Sequence, residues 1–268
     1  MSETDKIIAY KGFGPDWKCR NFQYVVGGTY KLDEDVRCCE IGFHACTNPL
    51  DVLGYYDLFD SKFAVVEMSG KIDKKSDGDS KMCSAELHVK AEMKLPEFIG
   101  AAVKWVINHC AASAGGVNQA ASGHSAKLAA SGHSAKLAAS GDYAQLAASG
   151  DSAKLAASGH SAKLAASGHS AQLAASGDSA KLAASGDSAQ LAASGDYAKL
   201  AADGKDSVIA SSGHNTVARG VAGTWVSLAE FDSNGKCIGF ATGCIGTDGI
   251  PENVNLHAKG GKLVPVGA

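Results

Sequence analysis

The residues best equipped for chemistry lie in the first 110 of 268. Cys38, Cys39, His44 and Cys46 crowd nine residues, and Cys19 stands upstream. Thiols and an imidazole are donors that zinc accepts, but zinc sites ordinarily show ligand pairs two to four residues apart, twice over. Only His44 and Cys46 approach that spacing, on a strand where they would share one face. The stretch therefore reads as a packed strand with buried thiols, and no metal is expected. Arg20, Tyr24, His44 and Tyr56 make a second set, a cation, an imidazole and two phenols, of the kind that orients a small polar ligand or a nucleotide. A third set is periodic, a run of histidines and aspartates spaced nine residues apart from His124 onward.

That third set belongs to an array. From Ala120 to Leu200 the unit Ala-Ala-Ser-Gly-(His/Asp)-(Ser/Tyr)-Ala-(Lys/Gln)-Leu runs nine times without insertion or deletion. Degenerate copies at Ala111–Gln119, Ala201–Ile209 and Ala210–Ala218 bring the count to twelve. A fixed period of this kind signals stacked repeats. Alanine, leucine and lysine favour helix, yet Ser-Gly in each unit leaves too short a segment for a stable one. A strand whose backbone groups are completed by its neighbours fits better. Nine residues cannot close around a core, so two copies form one 18-residue coil.

Charge tests that register. Stacking alternate copies gives one edge of His124, Asp142, His160, Asp178, Asp196 and His214, and a second of His133, Asp151, His169, Asp187 and Lys205. Strands about 4.8 Å apart let such neighbours pair, whereas like charges directly opposite destabilise. Only the step from Asp178 to Asp196 opposes like charges, and every other stacking scheme destroys the alternation. The ladders are read as structural, with stability expected to fall as the histidines and then the aspartates change charge. Period-two alternation puts Ala126, Ala135, Leu128, Leu137 and the second-position alanines inward, with Lys127 and Gln145 outward. Tyr143 and Tyr197 replace serine at the sixth position, a substitution that favours a solvent-facing site. The serines either share that face or line the interior. The turn lacks the Gly-Gly-x-Gly-x-Asp pattern of calcium-binding rolls, and half its acids are histidine.

The flanks supply larger side chains. Ile7–Tyr10 reads as a strand closed by the breaker cluster Gly12 to Pro15, followed by strands at Phe22–Val26 and Thr29–Leu32. Gly42 to Leu53 reads as a strand entering a helix, with Thr47 or Asn48 as N-cap and Pro49 at the first helical position. Phe63–Met68 and Ala85–Lys94 are two more strands, joined by a polar loop at Asp73–Asp79. Glu97–Cys110 is an amphipathic helix. After the repeats, Thr224–Phe231 alternates and turns through Asp232-Ser233-Asn234-Gly235 into Lys236–Phe240, with short strands near Val254–His257 and Leu263–Val266. Trp225, Phe231, Ile238 and Phe240 suit a cap over the open end of the array. The expected fold is mainly β: an α+β head over 1–110, a two-sided β-solenoid over 111–218 and a C-terminal β cap over 219–268.

The head carries two resemblances. Tyr10-Lys11-Gly12-Phe13, Cys19-Arg20-Asn21-Phe22-Gln23-Tyr24, and Gly42-Phe43-His44-Ala45-Cys46 with Asn48-Pro49-Leu50-Asp51-Val52 resemble an uncharacterised domain of phage and prophage proteins, often followed by Ser-Gly-rich nonapeptides. This implies a phage-associated origin. A strand with Tyr-Lys-Gly, a Gly-Phe-His strand entering a helix that ends in Tyr-Tyr, and a later strand bearing a glutamate also resemble the element order of ADP-ribosyltransferases. That resemblance implies Lys11 or Arg20 on the phosphates of NAD, Tyr55 or Tyr56 stacked on nicotinamide, and Glu86 as the acid. The chain departs from it in lacking a Ser-Thr-Ser strand, and Glu67 or Glu92 could equally fill the acidic role.

Composition narrows the partners. A net charge of -3 gives no basic footprint for nucleic acid or an anionic membrane. No apolar run approaches the length that spans a bilayer. With no signal peptide at its start, the chain is expected in the cytoplasm of a bacterial host, its eight cysteines reduced. Three readings follow: a non-enzymatic scaffold carrying a binding head that acts on a host or phage protein, inhibition of a host defence system being one use; a transferase; or a small-ligand or nucleotide-binding protein. No cofactor is expected for the first, and self-association through the cap is a further expectation.

Overall fold

Strand-forming runs of the head assemble into one antiparallel sheet, held by a core of Phe13, Tyr24, Phe43, Val66, Met68, Leu87 and Val89. The computed structural model describes residues 6–33, 35–74, 79–109 and 118–267, which divide into two units, 1–98 and 99–268. In the first unit the strands are β1 (Ile7–Phe13), β2 (Lys18–Cys19), β3 (Phe22–Gln23), β4 (Thr29–Lys31), β5 (Phe43–Cys46), β6 (Lys62–Lys74) and β7 (Lys81–Met93). The sheet order is β4-β7-β5-β1-β6, and β7 also pairs with β6, closing a ring of four strands. The helix α1 (Pro49–Val52) follows β5, capped by Asn48, whose side-chain oxygen accepts the Leu50 N–H at 3.1 Å. Proline at the first helical position costs no hydrogen bond there.

Two local expectations change. The Gly12-Phe13 breaker lies inside β1, because these residues pair with Phe63 and Lys62 of β6. The strand expected at Phe22–Val26 shrinks to two residues, which pair with Lys18–Cys19 in a small hairpin. Of the polar loop, residues 75–78 lie outside the described residues, as does Cys110 at the end of the amphipathic helix α2 (Leu95–His109).

The second unit is the solenoid. Twelve four-residue strands run from β8 (Asn118–Ala121) to β19 (Val217–Gly220) among the described residues. The even-numbered strands form one parallel sheet and the odd-numbered strands the other. Leu137 sits beside Leu155 and Leu146 beside Leu164, so the register is eighteen residues throughout the repeats. Residues 111–117 of the first degenerate copy lie outside the described residues. The inward rows are those expected: Ala135, Leu137 and Ala139 from one sheet meet Ala144, Leu146 and Ala148 from the other. Each buried leucine contributes about 1.5–3 kcal/mol. Tyr143 and Tyr197 are exposed, which places the sixth position on the solvent side.

The outward rows differ between the sheets. In the first, Lys136, Lys154, Gln172 and Gln190 are exposed, as expected. In the second, Gln145 is only 5 % and Lys163 only 8 % exposed, and Ala147 and Ala165 are buried as well. A strand repeat alone cannot show that one of its two faces is covered. Within this unit the Lys127 ammonium lies 5.5 Å from the Trp105 ring of α2.

The cap also differs in detail. The strand β20 (Trp225–Phe231) continues the first sheet in parallel beside β18 (Val208–Ser211), then turns at Gly235 into antiparallel β21 (Cys237–Cys244). The hairpin β22 (Leu256–Lys259) and β23 (Lys262–Pro265) closes the second sheet beside β19. The residues that cover the core are Val226, Leu228, Ala241, Ile245, Leu256 and Leu263. Trp225, Ile238 and Phe240, expected to do so, are instead exposed on the outside. Strand alternation decides it: Val226 and Leu228 take the inner face of β20, so Trp225 must take the outer.

Candidate functional site

The first unit holds a cleft of about 860 Å³ whose walls include Lys11, Arg20, Tyr24, His44, Tyr55 and Tyr56. All the candidate ligand-binding residues thus come together in one hollow, from four separate elements. Strand β1 supplies Lys11 and β5 supplies His44, the two strands being paired at Tyr10 and Cys46. The turn after α1 supplies Tyr55 and Tyr56, whose N–H groups both donate to the Val52 carbonyl at 3.0 Å. Arg20 sits at the tip of the β2–β3 hairpin in a left-handed conformation, φ 54°. Gly12 lets the Tyr56 ring lie against β1, since a Cβ there would collide with it.

Lys11 is the most unusual residue of the site. It is buried, and its ammonium donates to the His44 carbonyl at 2.8 Å. The Cys19 sulfur lies 3.6 Å away and also accepts from the Tyr56 hydroxyl at 2.9 Å. Rings of Phe13 and Tyr24 each stand 5.4 Å from the ammonium. Burial lowers the Lys11 pKa against the opposing pull of Cys19. Burial, with Lys11 and Lys81 nearby, lowers His44 to about 4, so its imidazole is neutral near pH 7. Burial also raises Tyr24, Tyr55 and Tyr56, which keeps them as neutral phenols; the Tyr55 hydroxyl donates to Asp79 and that of Tyr56 to Cys19, leaving their ring faces to stack.

Charge in the cleft is asymmetric. Lys11, Arg20 and Lys81 line it, while Glu40 is the one carboxylate among its described lining residues and is paired with Arg37 at 2.8 Å. The Lys81 ammonium lies 4.3 Å from the Tyr55 ring centre. Phe22, Tyr24, Tyr30 and Phe43 form a connected set of edge-on and tilted rings beside these cations. Sequence reasoning missed Lys81 and Phe22. The period of two along β7 was the available signal for Lys81, but only the pairing of Lys81 with Cys46 turns it into a site position.

The acid implied by the transferase resemblance does not line this cleft. Glu86 accepts from Lys31 at 2.8 Å and from Ser69 at 3.1 Å. Those bonds hold its carboxyl below the ordinary range, as an ionised surface partner. Glu67 pairs with Lys6 and Lys90, and Glu92 with Lys62. Larger hollows run along the outer face of the first solenoid sheet, walled by alanine, serine, lysine and glutamine. The concentration of titratable and aromatic groups is in the head.

The repeat ladders are built differently from the expected ion pairing. Asp142, Asp151, Asp178, Asp187 and Asp196 accept the backbone N–H of the residue one coil later, at 2.9, 2.9, 3.0, 2.8 and 2.7 Å. One ring-to-carboxylate contact falls within ion-pair distance among the described residues, His160 to Asp178 at 3.7 Å. At the like-charged step, too, Asp178 bonds the backbone amide of Asp196. His124 instead packs edge-on to the Tyr143 ring, centroids 5.2 Å apart.

A family described as a domain of unknown function (DUF7666) matches residues 7–101, the segment that carries the cleft. No curated protein and no solved structure matches the chain.

Proposed function

We propose that this is a non-enzymatic binding protein, in which the β-solenoid is a rigid scaffold and the head cleft holds a small anionic ligand with a flat ring, of the nucleotide class. The observation that carries the reading is the convergence of Lys11, Arg20 and Lys81 with Tyr24, Tyr55 and Tyr56 around one hollow in which the single carboxylate among the described lining residues is already paired. Cations neutralise phosphate, and phenol faces stack on a base; pockets with a few convergent polar groups among aromatic walls are the usual form of such sites. The position of Glu86, bonded to Lys31 and Ser69 outside the cleft walls, favours binding over transfer chemistry.

The phage-like motifs of the head point to a host or phage protein as the macromolecular partner, in the cytoplasm of a bacterial host. The exposed apolar residues Val208, Trp225, Ile238 and Phe240 offer the capped end to a second copy. A panel of nucleoside mono- and diphosphates, with the parent nucleosides as controls, tests the cleft by thermal shift. At ligand near 100 times Kd, binding adds about 2.7 kcal/mol of stability. We expect phosphorylated ligands to raise the melting temperature and nucleosides to do so less. A panel without effect at millimolar concentration would sink the nucleotide reading.

A further inference from the structure

We propose that Cys38, His44 and Cys83 form a binding site for a soft divalent cation of the zinc class. One donor atom from each lies within 4.8 Å of the other two. The sequence does not advertise the grouping, because Cys83 enters from β7, directly across the ladder from His44 of β5. Cys46, the thiol closest to zinc spacing from His44 in the chain, is not part of it.

The local backbone is built around this meeting point. An isolated bridge between Arg37 and Ile41 closes a turn in which Cys39 adopts a left-handed φ of 74°. Such a conformation in a non-glycine residue is strained, and strain of this kind concentrates at ligand clamps. The Asp73 carboxylate accepts the Cys38 N–H at 2.7 Å and fixes the turn against β6. His44 Nε2 accepts the Cys39 N–H at 2.8 Å, so that nitrogen carries the lone pair. On loading, Nε2 would exchange the Cys39 amide for the cation.

The chemistry of the donors selects the cation. Two thiols and one neutral imidazole suit zinc and poorly suit magnesium or calcium. Three protein donors leave the fourth position of a tetrahedral site to water or another ligand. Burial pushes Cys83 up to about 11 and raises Cys38, which keeps both protonated without a cation. A bound divalent ion reverses that and releases protons. Tetrahedral zinc, with bonds of about 2.3 Å to sulfur and about 2.0 Å to nitrogen, holds its donors roughly 3.5–3.8 Å apart. Closing the site takes shifts of about an ångström within one turn.

The test uses the full chain, reduced with a phosphine, stripped with a chelator, and titrated with zinc alone in competition with a chromophoric chelator. It needs no nucleotide, so its outcome is separate from that of the cleft reading. We expect one equivalent of zinc, a rise in melting temperature, and, with cobalt, a thiolate charge-transfer band together with tetrahedral ligand-field bands. Cys38→Ser and Cys83→Ser should each weaken binding by roughly 100-fold or more, and Cys237→Ser in the cap should leave it unchanged. Cys38 lies on a half-buried turn, so Cys38→Ser keeps the test meaningful if Cys83→Ser fails to fold. No zinc bound at micromolar concentration, unchanged affinity in Cys38→Ser, or a Cys38–Cys83 disulfide in the reduced preparation would overturn the proposal.

Discussion

The Asp142 carboxylate accepts the backbone N–H of His160 at 2.9 Å, eighteen residues further along the chain. Each aspartate of the ladder thus ties one coil to the next through the main chain, whatever residue stands above it. Asp142→Ala should cost about 1 kcal/mol, as for an ordinary hydrogen bond, because the bond is solvent-exposed. Asp142→Asn, which keeps an acceptor oxygen, should cost less, and His160→Asn almost nothing. Denaturant unfolding of the three variants checks this; an equal loss in His160→Asn would restore ring-to-carboxylate pairing as the main interaction.

From Gly141 to Gly213 the turns have no room for a side chain at the fourth position. A Cβ on Gly159 would run into the backbone of Gly141 one coil below, although the backbone of Gly159 itself is unstrained. Two positions later, Ser161 is left-handed with φ 54°. Gly159→Ala should therefore lower the melting temperature sharply, while Ser161→Gly should leave it level or raise it, since left-handed backbone costs an L-residue about 1–2 kcal/mol. The opposite ordering of these neighbours would refute the turn geometry.

Asp203 stands where most copies have serine, and its Oδ1 is buried without a hydrogen-bond partner among the described residues. Burial raises its pKa, with Arg219 opposing. A carboxyl with a raised folded-state pKa binds more protons folded than unfolded between the two values, so it lowers stability as pH rises through that window. Asp203→Asn should raise the melting temperature at pH 7, with the gain shrinking as pH falls through the carboxylate range. A gain that is constant from pH 7 to pH 4, or a loss at pH 7, would contradict the assignment.

Trp225 and Phe240 are 55 % and 56 % exposed at the capped end of the first sheet. Large apolar side chains exposed on one strand pair are candidates for a contact site. Sedimentation velocity should show self-association that Trp225→Ser with Phe240→Ser abolishes without loss of fold. A monomer at all concentrations would remove a second copy from the proposed partners.

The solenoid was readable because period and charge are written in every unit: the nine-residue repeat demanded paired copies, and the His–Asp order chose the eighteen-residue register that Leu137 and Leu155 display. Which ladder bonds form was not readable, because a carboxylate can reach a backbone N–H or a ring and composition does not rank the two. The burial of Gln145 and Lys163 was hidden for a similar reason, since both sheets repeat the same four residues. In the head, Lys11, Arg20, Tyr24, His44, Tyr55 and Tyr56 were legible as residues and meet in one cleft. Lys81 and Cys83 depend on a long-range strand register that local pattern does not encode.

The central claim is that the head cleft binds an anionic ring through these residues. Calorimetric titration of the most stabilising nucleotide into the full chain and into Arg20→Ala tests it most directly, with Lys236→Ala, an exposed cation of the cap turn, as a control for surface charge. Loss of one charge-assisted contact of about 1.5–3 kcal/mol corresponds to roughly a 10- to 100-fold rise in Kd. We expect that rise for Arg20→Ala and none for Lys236→Ala; equal affinity in Arg20→Ala and the unaltered protein would contradict it.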